Sequence, residues 1–70
     1  MNKNFYKNLG INIKKRREKL GLSQQQLADI AGIGLNHLGK IEVAYSKPSL
    51  DLLIKIACAL KTNVSDLTKF

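Results

Sequence analysis

Two segments with the apolar spacing of short helices are separated by only three residues, Gly32, Ile33 and Gly34. Helices joined by so short a connection cannot lie side by side in antiparallel orientation, so they must cross steeply. Glycine suits such a turn because it adopts positive φ angles at little steric cost. The connection therefore predicts a small helical protein in which two consecutive helices are held at a steep angle.

The core of this protein has to come from apolar packing alone. Its 70 residues indicate one domain over 1–70, near the lower size limit for independent folding. One cysteine cannot form an intramolecular disulfide, and one cysteine with one histidine cannot complete a zinc site, so no metal or cofactor is expected. Apolar residues make up 44% of the chain and include two phenylalanines and two tyrosines, which predicts a core of leucine and isoleucine.

The chain is strongly basic, with a formal net charge of +7. This charge favours nucleic acid or an anionic membrane surface as a partner, and a solubilised surface is the alternative. The membrane reading is the weaker one, because the polar face of the first helix lacks a bulky aromatic edge. No apolar run is long enough for a signal peptide or a membrane span, so we expect a cytoplasmic protein.

The apolar periodicity predicts an all-α chain of five helices. Gly21 is expected to end the first helix as a left-handed C-cap, and Ser23 forms a capping box with Gln26 at the start of the second. Ser49 is the expected cap of the fourth helix, and either Asn63 or Ser65 caps the fifth. The predicted helices span about 5–20, 23–31, 35–44, 49–60 and 64–69.

The same periodicity assigns the side chains that face the core. Ile11 falls off the apolar stripe of the first helix and is expected at the surface or against a partner, whereas Cys58 is expected to be a small packing residue. In the second and fourth helices the residues predicted to face inward are Leu27, Ile30, Ala31, Leu50, Leu53, Ile54, Ala57 and Leu60.

A set of short motifs with a specific joint spacing covers residues 9–68. The motifs are Gly21-Leu22-Ser23-Gln24, Leu27-Ala28, Ala31-Gly32-Ile33, Leu38, Ile41-Glu42 and Pro48-Ser49-Leu50, followed by Ile56-Ala57 and Leu60. In this spacing the chain resembles the lambda-repressor-like (Cro/repressor, XRE-type) helix-turn-helix domain. The resemblance implies a compact five-helix DNA-binding domain, with the helix-turn-helix at helices 2–3 and double-stranded DNA as the partner.

The outer side of the third helix carries hydrogen-bonding groups on a helix of low bulk. A major groove admits such a helix, where asparagine pairs with adenine and lysine donates to guanine. The resemblance implies base contacts at Leu35, Asn36 and Lys40, with His37 adjacent. Leu35 either touches a thymine methyl group or turns inward, and His37 either contacts a base or phosphate or is merely solvated.

Contacts with the DNA backbone are expected on both sides of this helix. Gln24 begins the second helix, where free backbone N–H groups favour a phosphate, and the resemblance implies a DNA contact there, with Gln25 beside it. The loop after the third helix offers hydroxyl and amino donors to phosphate oxygens from Tyr45, Ser46 and Lys47. The family often has a basic residue and a glycine where this chain has Val43 and Ala44, which is a departure.

Glu42 falls on the inner side of the third helix, where an unpaired carboxylate would be costly. Arg17 flanks the apolar stripe of the first helix. The resemblance implies that the arginine at this position pairs with the glutamate that ends the recognition helix. We therefore predict a partly buried Arg17–Glu42 ion pair, with Arg16 as the rival partner.

A single recognition helix contacts few base pairs, and the resemblance implies a homodimer on a near-palindromic operator. The candidate interface residues are Val64, Leu67 and Phe70, which are apolar and lie on a short terminal segment. The alternative for Val64 and Leu67 is that they close the core of the monomer.

The predicted function is a sequence-specific transcriptional regulator of the repressor or controller type. With no second domain for a small-molecule ligand, its activity would depend on its own concentration. A phage or plasmid repressor, a restriction–modification controller and a stand-alone regulator all fit, and repression and activation are both compatible. The alternative is an antitoxin or another protein-interaction module with the same fold. An enzyme is not expected, because the sequence has no catalytic constellation or phosphate-binding glycine loop.

Overall fold

The computed structural model describes residues 3–70, which form five α-helices and no strand. The helices are α1 (Lys3–Lys19), α2 (Gln24–Ala31), α3 (Leu35–Glu42), α4 (Leu50–Ala59) and α5 (Val64–Leu67). The all-α prediction with a helix-turn-helix at α2 and α3 is thus confirmed, and residues 1 and 2 of the predicted domain lie outside the described part. Each of the last three helices ends earlier than predicted. None of the described helices has the length and apolar content needed to cross a membrane.

Local capping groups set the helix boundaries. The Ser23 hydroxyl accepts a hydrogen bond from the Gln26 backbone N–H, and the Gln26 side chain accepts one from the Ser23 backbone N–H, which is the predicted capping box. Gly32 ends α2 at φ 73°, in the left-handed region that favours glycine. Ser49 caps α4, and Asn63, rather than Ser65, caps α5. These caps end and begin the helices at defined residues, so the helices are short and are joined by tight turns.

The core is aliphatic and lies between all five helices. The helix α3 packs against α1 and α2, α4 packs against α2, and α5 closes the core against α1 and α4. The largest side chains that are less than 2% exposed are Leu9, Ile13, Leu27, Leu38, Ile41, Ile56 and Leu60. The helix α3 is therefore supported from two sides, by α1 and α2, and its remaining side faces outward.

Three residues predicted to face the core lie at the surface instead. Ile30 is 60% exposed, Leu50 66% and Ile54 46%. In α4 the buried face is centred near Leu53, and each residue step rotates the helix by about 100°, so Ile54 falls outside that face. The same offset exposes Ile30 in α2. Cys58 is also exposed, which corrects its prediction as a packing residue.

Candidate nucleic-acid interface

The first helix crosses the end of α3 at very close range. A Cβ atom at Gly10 would lie 2.7 Å from the carbonyl oxygen of Ile41, and closer still to that of Glu42. Only glycine permits this approach of the two backbones. Sequence reasoning missed the role of Gly10, although an isolated glycine inside a helical pattern is the signal that points to it. The contact fixes the position of the C-terminal end of α3.

A buried ion pair fixes the same end of α3 through side chains. Arg17 Nε donates to Glu42 Oε2 at 2.7 Å, and Arg17 Nη2 donates to Glu42 Oε1 at 3.1 Å. The two side chains are 10% and 2% exposed. Hydrogen bonding to Glu42 raises the pKa of Arg17 above its ordinary value, burial acts in the opposite direction, and the charge of Glu42 adds to the increase. The carboxylate on the inner side of α3 is therefore paired, as the sequence requires.

The Glu42 carboxylate also receives a hydrogen bond from α2. Gln24 Nε2 donates to Glu42 Oε1 at 2.9 Å, so one carboxylate joins three helices. The predicted phosphate-contacting amide of Gln24 thus already has an acceptor inside the protein. Arg16, the rival partner for Glu42, instead donates to the carbonyl oxygens of Leu60 and Lys61 at 2.9 and 3.0 Å. Within residues 3–70, every buried side-chain nitrogen and oxygen has a hydrogen-bond partner.

The outward side of α3 carries the residues that the sequence assigned to base contacts. Asn36, His37 and Lys40 are exposed, and within residues 3–70 the side chains of Asn36 and His37 make no hydrogen bond. Leu35 is 40% exposed, so it lies at the surface and does not turn into the core. These side chains border a shallow depression lined by Gln24, Leu35, Asn36, Gly39, Lys40, Val43 and Tyr45. We call this depression the α3 groove.

The loop after α3 folds back onto the last turn of the helix. The backbone N–H groups of Tyr45 and Ser46 both donate to the carbonyl oxygen of Lys40, at 2.8 and 3.1 Å. Ala44 adopts φ 63° in this reversal, in the left-handed region that favours glycine, at a position where the family that the chain resembles often has glycine. The Tyr45 ring is 80% exposed, and Lys47 is exposed as well. Of the predicted phosphate-contacting residues in this loop, Ser46 alone is half-buried.

The remaining site predictions concern Gln25 and the proposed dimer interface. Gln25 is exposed and donates to Asp29 within α2 at 2.8 Å.

Leu67 is only 3% exposed and Val64 packs against the core, so both close the monomer, and Leu67 is not available as an interface residue. Phe70 is 56% exposed, with its ring centroid 5.5 Å from that of Phe5. Phe70 therefore remains the only one of the three with a large exposed surface.

Comparison with known sequences places this arrangement in a family. The helix-turn-helix family profile matches residues 13–67. The chain is 37% identical over 59 residues to the control protein C.SmaI of Serratia marcescens, covering 84% of this chain and 70% of that protein. It is also 37% identical over 60 residues to the SPbeta prophage-derived uncharacterized HTH-type transcriptional regulator YonR of Bacillus subtilis (strain 168). That match covers 86% of this chain but 56% of YonR, so the chain spans little more than half of that relative.

Comparison with solved structures gives the same result for the fold. The crystal structure of the restriction-modification controller protein C.AhdI from Aeromonas hydrophila superposes with a TM-score of 0.86 at 29% sequence identity. The superposition covers 89% of this chain and 94% of C.AhdI, so almost the whole of both proteins shares one architecture.

Proposed function

Because this chain belongs to the helix-turn-helix family, we propose that it is a DNA-binding transcriptional regulator that recognises a specific operator through α3. The observation that carries the proposal is the division of α3 into two sides. Leu38, Ile41 and Glu42 are buried on the inner side, while Asn36 and Lys40 are exposed on the outer side. A helix supported in this way can enter the major groove of double-stranded DNA as a rigid body.

The outward side chains suit direct reading of base edges. Asn36 can pair bidentately with adenine, and Lys40 can donate to O6 and N7 of guanine. His37 offers a further donor or acceptor beside them. Leu35, exposed at the start of α3, can contact a thymine methyl group. These four residues account for sequence preference in the proposal.

Backbone contacts on either side of α3 would fix its register on the duplex. On one side lies the N-terminus of α2, where the first backbone N–H groups and the exposed Gln25 side chain can donate to a phosphate. Gln24 would add its side chain only by exchanging its hydrogen bond to Glu42 for one to DNA. On the other side lie Tyr45, Ser46 and Lys47 of the loop.

The regulator is proposed to act in the cytoplasm as a homodimer on a near-palindromic operator. One recognition helix contacts few base pairs, so a second copy is needed for useful specificity. The similarity to C.SmaI and C.AhdI, a control protein and a restriction-modification controller, supports a regulator of the controller type. Sedimentation of the protein with a selected duplex should give two chains per duplex, and a single chain at saturation would contradict the dimer.

Selection of bound duplexes from random DNA tests the function itself. The wild-type protein should enrich a related set of near-palindromic sequences, and enrichment of none would contradict a sequence-specific regulator. On an enriched duplex, Asn36→Ala should weaken binding roughly 5- to 150-fold, which corresponds to one lost bidentate base contact. On a scrambled duplex the same variant should bind like wild type.

Lys47→Ala is the contrasting variant, because a phosphate contact is independent of sequence. It should weaken binding to the enriched and scrambled duplexes by the same factor. Lys55→Ala, which removes an equal charge from α4, is the control and should leave both affinities nearly unchanged. Identical behaviour of Asn36→Ala and Lys47→Ala on the two duplexes would contradict the assigned roles.

A further inference from the structure

A second surface depression lies beside the α3 groove, on the side of α1. Its lining residues are Lys7, Ile11, Lys14, Lys15, Glu18, Glu42 and Val43. Those contributed by α1 recur at helical spacings of three, four and seven residues, so they share one side of that helix. We call this depression the α1 groove. The rest of its lining comes from the end of α3, at Glu42, and from Val43, the residue that follows it.

The two grooves adjoin one another. Val43 is 74% exposed and lines both of them. The close approach of Gly10 to the end of α3 brings α1 against this border. Farther along α1, the ring of Tyr6 lies 5.3 Å from Lys47 Nζ, which connects α1 to the loop proposed to follow the DNA backbone. A duplex bound at the α3 groove would therefore pass next to the α1 groove.

The charges in the α1 groove favour an anion. Lys7, Lys14 and Lys15 are exposed, and within residues 3–70 none of them forms an ion pair. Of the two acids on the lining, Glu42 is already neutralised by Arg17, which leaves Glu18. By contrast, the exposed Lys69 is paired with Asp66 at 3.0 Å. The groove thus presents three unpaired ammonium groups against one free carboxylate.

We infer that Lys7 and Lys14 form a second phosphate-binding surface, which contacts the backbone of the same duplex beside the major groove entered by α3. The inference rests on the proposed function. The two lysines are seven residues apart, about 10 Å along the helix, whereas phosphates on one strand recur about every 3.4 Å along the duplex axis. Each lysine therefore contacts a different phosphate. This surface contributes affinity and orientation, and it does not read sequence.

The salt dependence of binding tests the inference. The binding constant falls as salt rises, and each lost phosphate contact should reduce the magnitude of the slope of log binding constant against log salt concentration by about 0.9. Lys7→Gln and Lys14→Gln should each show that loss, and the double variant about 1.8, on both enriched and scrambled duplexes. Lys55→Gln removes the same charge from a separate depression between α2 and α4 and should keep the wild-type slope.

The possible results separate the inference from the proposed function. If the wild-type protein binds and both the double variant and Lys55→Gln keep its slope, the inference alone is overturned. Failure of wild-type protein to bind any duplex would overturn the proposed function, and the inference with it. Binding of wild-type protein, but not of the double variant, to phosphatidylserine vesicles, with the DNA slope unchanged, would assign the groove to membranes and overturn the inference. Thermal melting of each variant checks that these exposed substitutions leave the fold intact.

Discussion

Gly10 of α1 lies directly against the carbonyl oxygen of Glu42, the last residue of α3. The contact joins two backbones, so neither helix can shift there without the other. The same residue, Glu42, receives the Arg17 and Gln24 side chains. The C-terminal end of the proposed recognition helix is therefore held by both backbone and side-chain contacts.

Gly10→Ala should destabilise the protein by about 1–3 kcal/mol, because the new methyl group collides with backbone atoms that cannot move independently. Gly39→Ala is the matched control in α3, where a Cβ atom would have its nearest neighbour, Gln24 Nε2, at 3.9 Å. That variant should be more stable by up to about 1 kcal/mol, because alanine favours the helix. Urea unfolding measures both, and shifts of the same sign would contradict the close approach.

Removing one partner of the buried ion pair should be costly. Glu42→Ala leaves the buried Arg17 guanidinium without its counterion, and we expect a loss of roughly 3–5 kcal/mol in the free energy of unfolding. Arg17→Met with Glu42→Leu removes both charges and should cost less than the sum of the single variants. The control is Glu18→Ala, which removes an exposed acid on α1 next to Arg17, and a loss of about 0.5 kcal/mol or less is expected. Equal melting of Glu42→Ala and wild type would refute the pairing.

Ala44→Gly should stabilise the protein, because it relieves a left-handed backbone conformation that alanine adopts only with strain. Relief of about 1–2 kcal/mol is partly offset by the greater chain entropy of glycine when unfolded, which leaves about 0.5–1 kcal/mol. Lys61, at φ 57°, is a second site where glycine should act in the same direction. Ala59→Gly, in α4, is the control and should destabilise by up to about 1 kcal/mol. A drop in melting temperature for Ala44→Gly would show that the loop is not strained.

Asp66 should give the protein a measurable dependence of stability on acid pH. Hydrogen bonds from Lys69 and then Thr62 lower the pKa of Asp66 below its ordinary 3.8. A carboxyl whose pKa is depressed on folding stabilises the protein above its unfolded pKa, and this contribution is lost as the pH falls through the folded pKa. Urea midpoints should therefore fall more steeply below pH 4 for wild type than for Asp66→Asn.

Direct titration of the Asp66 carboxyl by NMR checks the cause. Lys69→Gln should move the pKa of Asp66 back toward the ordinary value more than Thr62→Val does, because the Lys69 contact is the larger influence. A wild-type pKa at or above 3.8 would remove the basis of this prediction.

Features determined by neighbouring residues could be predicted from the sequence. The Ser23–Gln26 capping box and the glycines that end the first two helices depend on a few consecutive residues, and the structure has them. The three-residue connection is also local, and the structure has the two consecutive helices that it predicts, α2 and α3. The Arg17–Glu42 contact joins residues far apart in sequence, and it could be anticipated only through the family resemblance.

Features that depend on how whole helices are rotated could not be predicted in the same way. Periodicity shows that α2 and α4 each have an apolar side, but both helices have more apolar residues than the core can cover. Which of them lie at the edge is decided by the neighbouring helix, and Ile30 and Ile54 were therefore placed wrongly. The role of Gly10 was hidden for a related reason, because its partner atoms belong to the backbone of Ile41 and Glu42, more than 30 residues away.

The separation of α3 into an anchored side and an uncovered side has a consequence for how such a protein can change. The side chains that would meet the bases contribute nothing to the interior, so substitution at Asn36, His37 or Lys40 should alter the preferred operator while leaving the melting temperature almost the same. New binding preferences are thus open to this scaffold by single substitutions, whether through natural divergence or by laboratory selection.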